Sequence, residues 1–393
     1  MRIHWLPLLA LLAVNFAVDR LCGGRLASKP RLRWLHAIAC VLALVALVVA
    51  MAMPLSSSAL PDGIFYGATL ILYAYFTFYI PKYIYLLISA FRPRRQGGGR
   101  KAVNALATVA ALGTFSAMWW GVLVTPTHLS VDPVTITSDR LPAAFDGYRI
   151  VQFSDTHLGC YNGDTTIVAR YVDSINALHP DLIVFTGDLV SRKTSEAVPF
   201  RNILKRLHAP DGVLSILGNH DYDDYVFWED TIARDADRAA LHRLEADMGW
   251  TLLTNASTTI TRGTDSIVVI GAENYGEPPF ITRGSLAQAY AQPSDSAFKI
   301  LLQHNPIEWQ DDIVGRSTVD LTLAGHTHAM QVMVTIAGHR YSPACFRYPQ
   351  WGGHYQQGSQ HLIVNIGLGM VGPPMRIGAT PELTLITLAR AAQ

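Results

Sequence analysis

The sequence predicts two parts of different fold class: a region of four transmembrane helices, then an α/β domain built as a two-sheet sandwich. Two observations lead to this prediction. Four long apolar stretches fill the first 124 residues, and their lengths approach or exceed the roughly 20 residues that a helix needs to cross a bilayer. From residue 148 onward, short apolar runs alternate with helical patterns, and later runs follow without clear helices between them. That order favours two sheets flanked by helices.

Composition separates the two parts. Half of the 393 residues are hydrophobic and 16% are charged, which is more apolar than an ordinary globular protein. Up to Val124 the chain holds 12 Lys and Arg against 2 Asp and Glu, whereas the remainder holds 19 against 28. We therefore predict a transmembrane domain over residues 1–125, a linker over 126–147 and an α/β domain over 148–393.

The four apolar stretches define the helices of the membrane part, at about residues 5–18, 35–54, 64–91 and 103–124. The first is short, but no small-residue cleavage site follows it, so we interpret it as a retained helix and not as a signal peptide. The third contains Pro81 and Lys82. These residues predict a kink or an early end, with Tyr83 to Phe91 lying along the membrane interface.

The distribution of positive charge predicts the orientation, since short loops rich in Lys and Arg stay on the cytoplasmic side. The connectors after the first and third stretches hold five basic residues each, whereas Leu55 to Gly63 between them holds none. The α/β domain is therefore expected outside the cytoplasmic membrane. Because this topological role accounts for the basic connectors, they give no reason to infer nucleic-acid binding. The apolar stretches contain few polar groups, which argues against a transporter.

Two cysteines lie in each part of the chain. Cys22 and Cys40 fall in the membrane part, and Cys160 and Cys345 in the α/β domain. An oxidising compartment would permit the second pair to form a disulfide. Two unrelated thiols are an equal alternative, because the sequence gives no distance between them.

Buried strands and crossover helices are predicted for the α/β domain. Five short apolar runs are typical of buried strands, at residues 149–153, 182–185, 213–217, 299–302 and 321–323. Helical patterns cover residues 165–178, 196–207 and 233–248. Further strands are predicted over residues 331–336, 362–366 and 383–388.

A polar cluster follows each of the five buried strands. In chain order these clusters are Asp155-Thr156-His157, Gly187-Asp188, Gly218-Asn219-His220-Asp221, His304-Asn305 and Gly325-His326-Thr327-His328. Ligands collect at the carboxyl ends of strands in α/β sheets, so these residues should converge. Carboxylate oxygens and imidazole nitrogens together suit divalent ions such as Mn, Zn or Fe. One such cluster alone is weak evidence, whereas five in this order predict a metal centre.

The ordered set resembles the calcineurin-like metallophosphoesterase superfamily, whose pattern is Asp-x-His, Gly-Asp, Gly-Asn-His-Asp/Glu, His and Gly-His-x-His. The resemblance covers about residues 148–388. The chain is most similar to the bacterial membrane- or wall-associated branch, through Asp155 to Gly159, Tyr348 to Tyr355, Gly367 to Gly369, Arg376 and Pro381 to Leu383. This resemblance implies a four-layer fold, in which two mixed sheets pack together with helices outside.

The resemblance also implies the metal ligands. It assigns seven side chains to two divalent ions: Asp155, His157 and His328 to one, Asn219, His304 and His326 to the other, and Asp188 to both. A shared anion between two cations reduces their repulsion. A water held between the ions would be acidified toward hydroxide and would attack phosphorus, so the implied activity is hydrolysis of phosphodiesters or phosphomonoesters.

Other residues receive roles in catalysis or substrate binding. His220 is placed to protonate the leaving oxygen, with Asp221 orienting it; for Asp221, a simple turn cap is an equal alternative. The segment Phe346 to Tyr355 either forms a loop over the metals or packs its own aromatics. The candidate substrate contacts are Arg347, Tyr348, His354 and Arg376. Ser191, where the family often has an acid, bears on substrate preference.

The sequence therefore predicts a multi-pass, membrane-anchored dimetal phosphoesterase. A lipid-linked phosphate or another envelope compound is the favoured substrate, because one helix would suffice as an anchor and this chain has four predicted helices. The alternative is a membrane protein without activity that uses the metal-binding fold to hold a partner. Retention of all seven ligands and of His220 favours the enzyme. Substrate, native metal and oligomeric state are left open.

Overall fold

The computed structural model describes residues 5–276, 281–290 and 296–391. The chain divides into two compact units. The first, the helical unit, comprises residues 1–124 and 372–375. The second, the α/β unit, comprises residues 125–371 and 376–393.

The helical unit contains four α-helices in its described part: α1 (Trp5–Arg25), α2 (Pro30–Ala52), α3 (Asp62–Ala90) and α4 (Gly98–Leu123). Three spans in the described chain are long and apolar enough to cross a membrane, Pro30–Ala52, Asp62–Ala90 and Gly98–Thr127. Many of their large apolar side chains are exposed, including Trp34, Leu42 and Leu112. Such surfaces suit a lipid environment.

The predicted early end of the third apolar stretch is wrong, because α3 continues past Pro81 to Ala90. A proline inside a helix removes one backbone hydrogen bond, and neighbouring helices can compensate for that loss. Here the residues after Pro81 are held by α1. The Lys82 ammonium lies 2.8 Å from Asp19 Oδ1, and the Tyr83 hydroxyl donates to Asn15 Oδ1.

Asp19 is the centre of a half-buried polar cluster in the helical unit. Its second oxygen accepts a hydrogen bond of 2.9 Å from the Tyr79 hydroxyl. His36 and Cys40 of α2 complete the cluster, and Lys82 Nζ lies 3.5 Å from Cys40 Sγ. The Lys82 charge offsets that of Asp19, as is usual for ionisable groups in apolar helices. These side chains are up to 63 residues apart in sequence, so their grouping is visible only in the structure.

The first sheet of the α/β unit has six strands. In spatial order these are β1 (Ser130–Ser138), β14 (Glu382–Arg390), β2 (Arg149–Phe153), β3 (Leu182–Phe185), β4 (Val213–Ser215) and β5 (Thr251–Leu252). All neighbours run parallel except β14 and β2, which are antiparallel. This sheet is therefore mixed.

The second sheet also has six strands and is also mixed. In spatial order these are β12 (Gly353–Gln357), β13 (Gln360–Val364), β9 (Leu321–Ala324), β8 (Phe298–Leu302), β7 (Asp265–Gly271) and β6 (Ala256–Arg262). The outer pairs are antiparallel and the central ones parallel. A separate hairpin joins β10 (Val334–Ile336) to β11 (His339–Tyr341). The helices are α5 (Thr166–Ala177), α6 (Arg201–Leu204), α7 (Thr231–Asp247) and α8 (Leu286–Ala289).

Alternate residues of the first sheet's strands divide between two cores, because successive side chains of a strand point to opposite faces. One core is shared by both sheets and includes Ile150, Val184, Leu214, Val269, Leu302 and Leu323. The other lies between the first sheet and helices α5 and α7, and includes Val151, Phe185, Val172 and Leu241. Mixed sheets and packed helices confirm the predicted α/β class.

Two local predictions are wrong. Strand β1 lies inside the segment predicted as a linker, 126–147, and pairs with β14 along its nine residues. It contains Pro133, which is tolerated because β1 is an edge strand. The helix predicted over 196–207 is broken into short turns and the four-residue α6, since Pro199 cannot continue a helix.

Candidate metal centre

The loops after five strands bring the predicted ligands together. Strands β2, β3 and β4 run parallel in the first sheet, and β8 and β9 run parallel in the second. The carboxyl ends of parallel strands meet at one edge of a sheet. The residues that follow these ends are Asp155, His157, Asp188, Asn219, His304, His326 and His328.

Left-handed backbone is concentrated at these positions. The φ angles are 51° at Asp155, 40° at His157, 62° at Asp188, 74° at His326 and 50° at His328. Such angles are unfavourable for residues other than glycine, and they cluster at functional sites where the surroundings hold them. Gly218 allows a close approach of two loops, because a Cβ there would collide with Asp188 Oδ1. The motif glycines therefore have a packing role beside the ligands.

Four buried side chains form a first cluster of potential metal ligands: Asp155, His157, Asp188 and His328, with one ligand atom of each within 4.8 Å of the others. His157 Nε2 and His328 Nε2 lie 3.0 Å apart. His328 Nε2 is 3.2 Å from Asp155 Oδ1, and His157 Nε2 is 3.4 Å from Asp188 Oδ2.

A second cluster contains Asp188, His304 and His326. His304 Nε2 lies 3.2 Å from Asp188 Oδ2 and 3.1 Å from Asn219 Oδ1. His326 Nδ1 lies 2.8 Å from the same Asn219 oxygen. Asp188 thus belongs to both clusters, as expected for a carboxylate that touches two ions.

Contacts on the far side of the rings fix which nitrogen faces each cluster. His304 Nδ1 lies 2.7 Å from the Thr186 carbonyl, so this nitrogen carries a hydrogen and donates. Its Nε2 then faces Asp188. The Tyr348 hydroxyl lies 3.0 Å from His326 Nε2 and leaves Nδ1 for the second cluster. Such partners orient metal-binding imidazoles, so the donor set fits divalent cations.

Electrostatics favours positive charge between the clusters. Burial acts to lower the pKa of His304, but Asp188 raises it to about 10. Despite burial, His304 and its histidine neighbours hold the pKa of Asp188 well below its usual range. Burial lowers the pKa of His157 and of His326. Without an ion, a proton on His304 therefore supplies charge that a metal would otherwise provide.

His220 lies beside the first cluster, but its imidazole is not one of the four potential ligands of that cluster. Its Nδ1 hydrogen donates to the Ser191 carbonyl at 2.7 Å, and its ring stacks on Tyr225 at 3.8 Å between centroids. Its backbone N–H donates to Asp188 Oδ1 at 2.8 Å. Burial lowers the pKa of His220. The ring is thus held firmly next to the bridging carboxylate.

The predicted role of Asp221 as the partner of His220 does not match its contacts. Its carboxylate accepts four backbone hydrogen bonds, from Gly218, Asp188, Leu189 and Val190, at 2.7 to 3.1 Å. These bonds join the loop after β3 to the loop after β4. The turn-cap alternative fits Asp221, and the Ser191 carbonyl orients His220 instead.

The four predicted substrate contacts occupy different environments. Tyr348 touches His326, and the exposed Arg347 guanidinium lies 5.4 Å from the centre of the Tyr348 ring. His354 Nε2 lies 2.9 Å from His361 Nδ1, between strands β12 and β13. Arg376 is fully buried. Among these four, Tyr348 therefore lies beside a cluster ligand, and Arg347 lies next to Tyr348.

Arg376 supports a ligand from behind. It donates to the carbonyls of Gly369, Ala379 and Ile366 at 2.7 to 3.1 Å. Its Nη2 also lies 3.2 Å from His328 Nδ1. This burial argues against direct contact with substrate and favours a supporting role for Arg376. The family motif marks the residue without showing which way it points.

Sequence analysis missed one supporting residue, Tyr225. It accepts a 2.6 Å hydrogen bond from Asn219 Nδ2, which directs the Asn219 oxygen toward His304 and His326. Tyr225 belongs to no motif, so spacing carried no signal for it. Ser191, noted in the sequence for substrate preference, also lies next to a proposed ligand, with its Oγ 3.4 Å from His157 Nδ1. Cys160 and Cys345 are both free thiols, in keeping with the unpaired alternative.

Comparisons with known proteins agree with this geometry. The family model for calcineurin-like phosphoesterases matches residues 148–330. The metallophosphoesterase YkuE of Bacillus subtilis is 35% identical over 65% of this chain and 83% of its own. A transmembrane protein with metallophosphoesterase domain from Danio rerio is 30% identical over 95% of this chain and 85% of its own. The UDP-2,3-diacylglucosamine pyrophosphatase LpxG of Chlamydia trachomatis is 27% identical over 58% and 77%.

The chain belongs to the calcineurin-like metallophosphoesterase superfamily, as the motif order predicted. It is a hydrolase that acts on phosphate esters. The family uses divalent metals, and the buried Asp and His clusters fit them. Three candidate spans and the transmembrane relative support a membrane protein.

Proposed function

We propose that this protein is a membrane-anchored phosphoesterase that holds two divalent ions, Mn, Zn or Fe, and hydrolyses phosphodiesters or phosphomonoesters. One observation carries the proposal. Asp188 Oδ2 lies 3.4 Å from His157 Nε2 and 3.2 Å from His304 Nε2. A carboxylate between two imidazole sets is the arrangement that a pair of cations requires, since it reduces their mutual repulsion.

Each residue of the centre has a separate task. Asp155, His157 and His328 hold one ion, Asn219, His304 and His326 the other, and Asp188 both. When bound, the ions acidify a water and polarise the phosphate oxygens. His220 donates a proton to the leaving oxygen and is kept in place by Ser191 and Tyr225. Arg376 and Tyr348 keep His328 and His326 oriented.

The helical unit anchors the enzyme by four crossings, with α1 retained as the first. The basic connectors then lie in the cytoplasm and the catalytic domain outside it. The relative LpxG is named for hydrolysis of a diacylated sugar nucleotide, which supports a lipid-linked phosphate of the envelope as the substrate class. Four helices suit an enzyme that takes its substrate from the membrane surface.

Metal removal tests the chemical part of the proposal. Full-length protein in detergent is stripped with a chelator and reloaded with Mn, Zn or Fe, then given chromogenic monoesters, diesters and lipid phosphates. Hydrolysis should stop on stripping and return on reloading. Protein that binds the ions and hydrolyses none of these substrates would support the partner-binding alternative.

Reporter fusions test the sidedness. Alkaline phosphatase fused after Gln393 should be active, because it folds outside the cytoplasm, and the same reporter inserted between Gln96 and Gly99 should be silent. The opposite pattern would place the catalytic domain in the cytoplasm. It would remove envelope substrates while leaving the metal chemistry untouched.

A further inference from the structure

An arginine-lined cavity of about 390 Å³ lies in the helical unit, where α1 and α3 end and α4 begins. Ser89, Ala90 and Pro93 form part of its wall. The remaining lining residues are all arginines: Arg25, Arg92, Arg94 and Arg100. They come from three different elements, and the described lining includes no acidic residue. Four like charges converge here without a carboxylate to offset them.

Two further features make the cavity suited to an anion. Arg25 Nη1 is buried and has no hydrogen-bond partner among the described residues, and an unmade bond of a charged donor is unfavourable. Helix α4 begins at Gly98 after Gly97 and has no side-chain cap. Its first N–H groups and its dipole therefore add positive potential on the side of Arg100.

The general preference for positive charge on the cytoplasmic side does not explain this convergence. Arg31 and Arg95 belong to the same basic connectors, yet neither lines the cavity. A topological signal requires only that basic residues be present in a loop. The cavity requires in addition that arginines of α1, of α4 and of the connector between α3 and α4 line one chamber.

An apolar groove adjoins the arginine-lined cavity. A second cavity, of about 290 Å³, shares Arg25 with the first and is lined mainly by apolar groups, including Leu26, Pro81, Ala111 and Leu112. The Arg25 guanidinium lies over the Tyr85 ring, 5.0 Å from its centre. A positively charged chamber that shares its Arg25 wall with an apolar groove matches a phosphate headgroup with its acyl chain.

We propose that the two cavities together bind an anionic phospholipid, with its phosphate among the four arginines and an acyl chain in the groove. The ligand is distinct from the substrate of the metal centre, and the site is formed by the helical unit alone. This inference rests on membrane insertion of the helices, as proposed above, and not on hydrolysis.

Lipid titration of the full-length protein tests the site. Binding of phosphatidylglycerol and of phosphatidylcholine is measured by native mass spectrometry for Arg25→Gln/Arg100→Gln and for the matched control Arg31→Gln/Arg95→Gln, which removes the same charge. Two lost charge-assisted contacts should weaken phosphatidylglycerol binding at least about tenfold, and the control should stay within about twofold. Equal loss in both variants, or equal binding of both lipids to the parent, would overturn the proposal.

Two further measurements separate the sources of phosphate and guard against misfolding. Ala111→Trp fills the groove and should weaken phosphatidylglycerol binding while leaving all four arginines in place. Inorganic phosphate should compete only weakly, because it uses the first cavity alone; competition at equal affinity would overturn the lipid assignment. Carbonate extraction of every variant checks membrane insertion separately, so a failure of insertion is distinguishable from a failure of lipid binding.

Discussion

Ionisable clusters in the two units balance their charge in different ways. In the helical unit, half-buried Asp19 lies beside His36 and Cys40, and by residue type and spacing these three also resemble a metal site. There Lys82 already contacts Asp19 at 2.8 Å. In the metal centre, Asp188 is surrounded by imidazole nitrogens, which supply lone pairs to a cation. The comparison shows that the neighbouring charge, and not the list of ligand types, distinguishes an internal ion pair from a metal site.

Exchange of each carboxylate for an amide gives the largest expected contrast. Asp188→Asn should lower the metal content and reduce hydrolysis more than about 100-fold, since even residues behind the ligands contribute 10- to 100-fold. Asp19→Asn should leave the metal content of the folded protein unchanged. Elemental analysis and ester hydrolysis of both variants measure this contrast. Loss of metal from the Asp19 variant would show that the helical cluster binds an ion after all.

Removal of His220 should separate chemistry from metal binding. His220→Ala is expected to keep its metal and to lose about 10²- to 10⁴-fold in turnover of esters with poor leaving groups, the usual contribution of a general acid. The loss should be smaller for nitrophenyl esters, whose leaving groups need no proton. Equal losses with both kinds of ester would contradict the acid role.

The proton on His304 predicts pH-dependent metal binding. Asp188 raises the pKa of His304 to about 10 in spite of burial, so His304 is protonated at neutral pH when no ion is present. An ion must displace that proton, and its affinity should rise about tenfold per pH unit below that pKa. Calorimetry in buffers of different ionisation enthalpy should find about one proton released. No release would show that His304 is neutral or is not a ligand.

Glu245 is a further carboxylate whose charge must be balanced. Its raised pKa favours a bound proton, whereas Asp19 has the Lys82 ammonium beside it and Asp188 has imidazoles that suit a metal ion. Glu245 is fully buried under the first sheet, and the Ser215 hydroxyl donates to it. Burial raises its pKa to about 8, from 4.5. The folded state therefore binds more protons than the unfolded state between these values, and stability falls by up to about 1.4 kcal/mol per pH unit as pH rises.

Glu245→Gln removes this titration. Its stability relative to the parent should be similar near pH 4.5 and should improve as the pH rises toward 8. Thermal unfolding of the full chain across this range measures the difference. A constant difference at all pH values would show that Glu245 is ionised in the folded protein.

Strands and ligands were predictable where the sequence is locally constrained. The five buried strands are short and mostly apolar, and β3 is apolar throughout, because they are buried on both faces. Their ends specified the seven residues that the structure brings together. Strand β1 escaped prediction, because an exposed edge strand with a proline lacks that pattern.

The orientations of the supporting side chains were not predictable, because they depend on contacts between residues that are distant in the sequence. Asp221 faces backbone amides of the preceding loop and not His220, and Arg376 approaches His328 from the buried side. Tyr225 stacks on His220 only because the loop after β4 folds back. None of these orientations follows from residue type or spacing, since each depends on how two loops pack.

Magnetic coupling in manganese-loaded protein tests the shared carboxylate most directly. Full-length protein reconstituted with Mn²⁺ should bind two ions per chain and give the electron paramagnetic resonance spectrum of an exchange-coupled pair, because the proposed centre has Asp188 as a ligand to both ions. Asp188→Asn should abolish that coupling, whereas Asp19→Asn should leave it unchanged. One ion per chain, or two ions with the spectrum of isolated Mn²⁺, would contradict a centre built around Asp188.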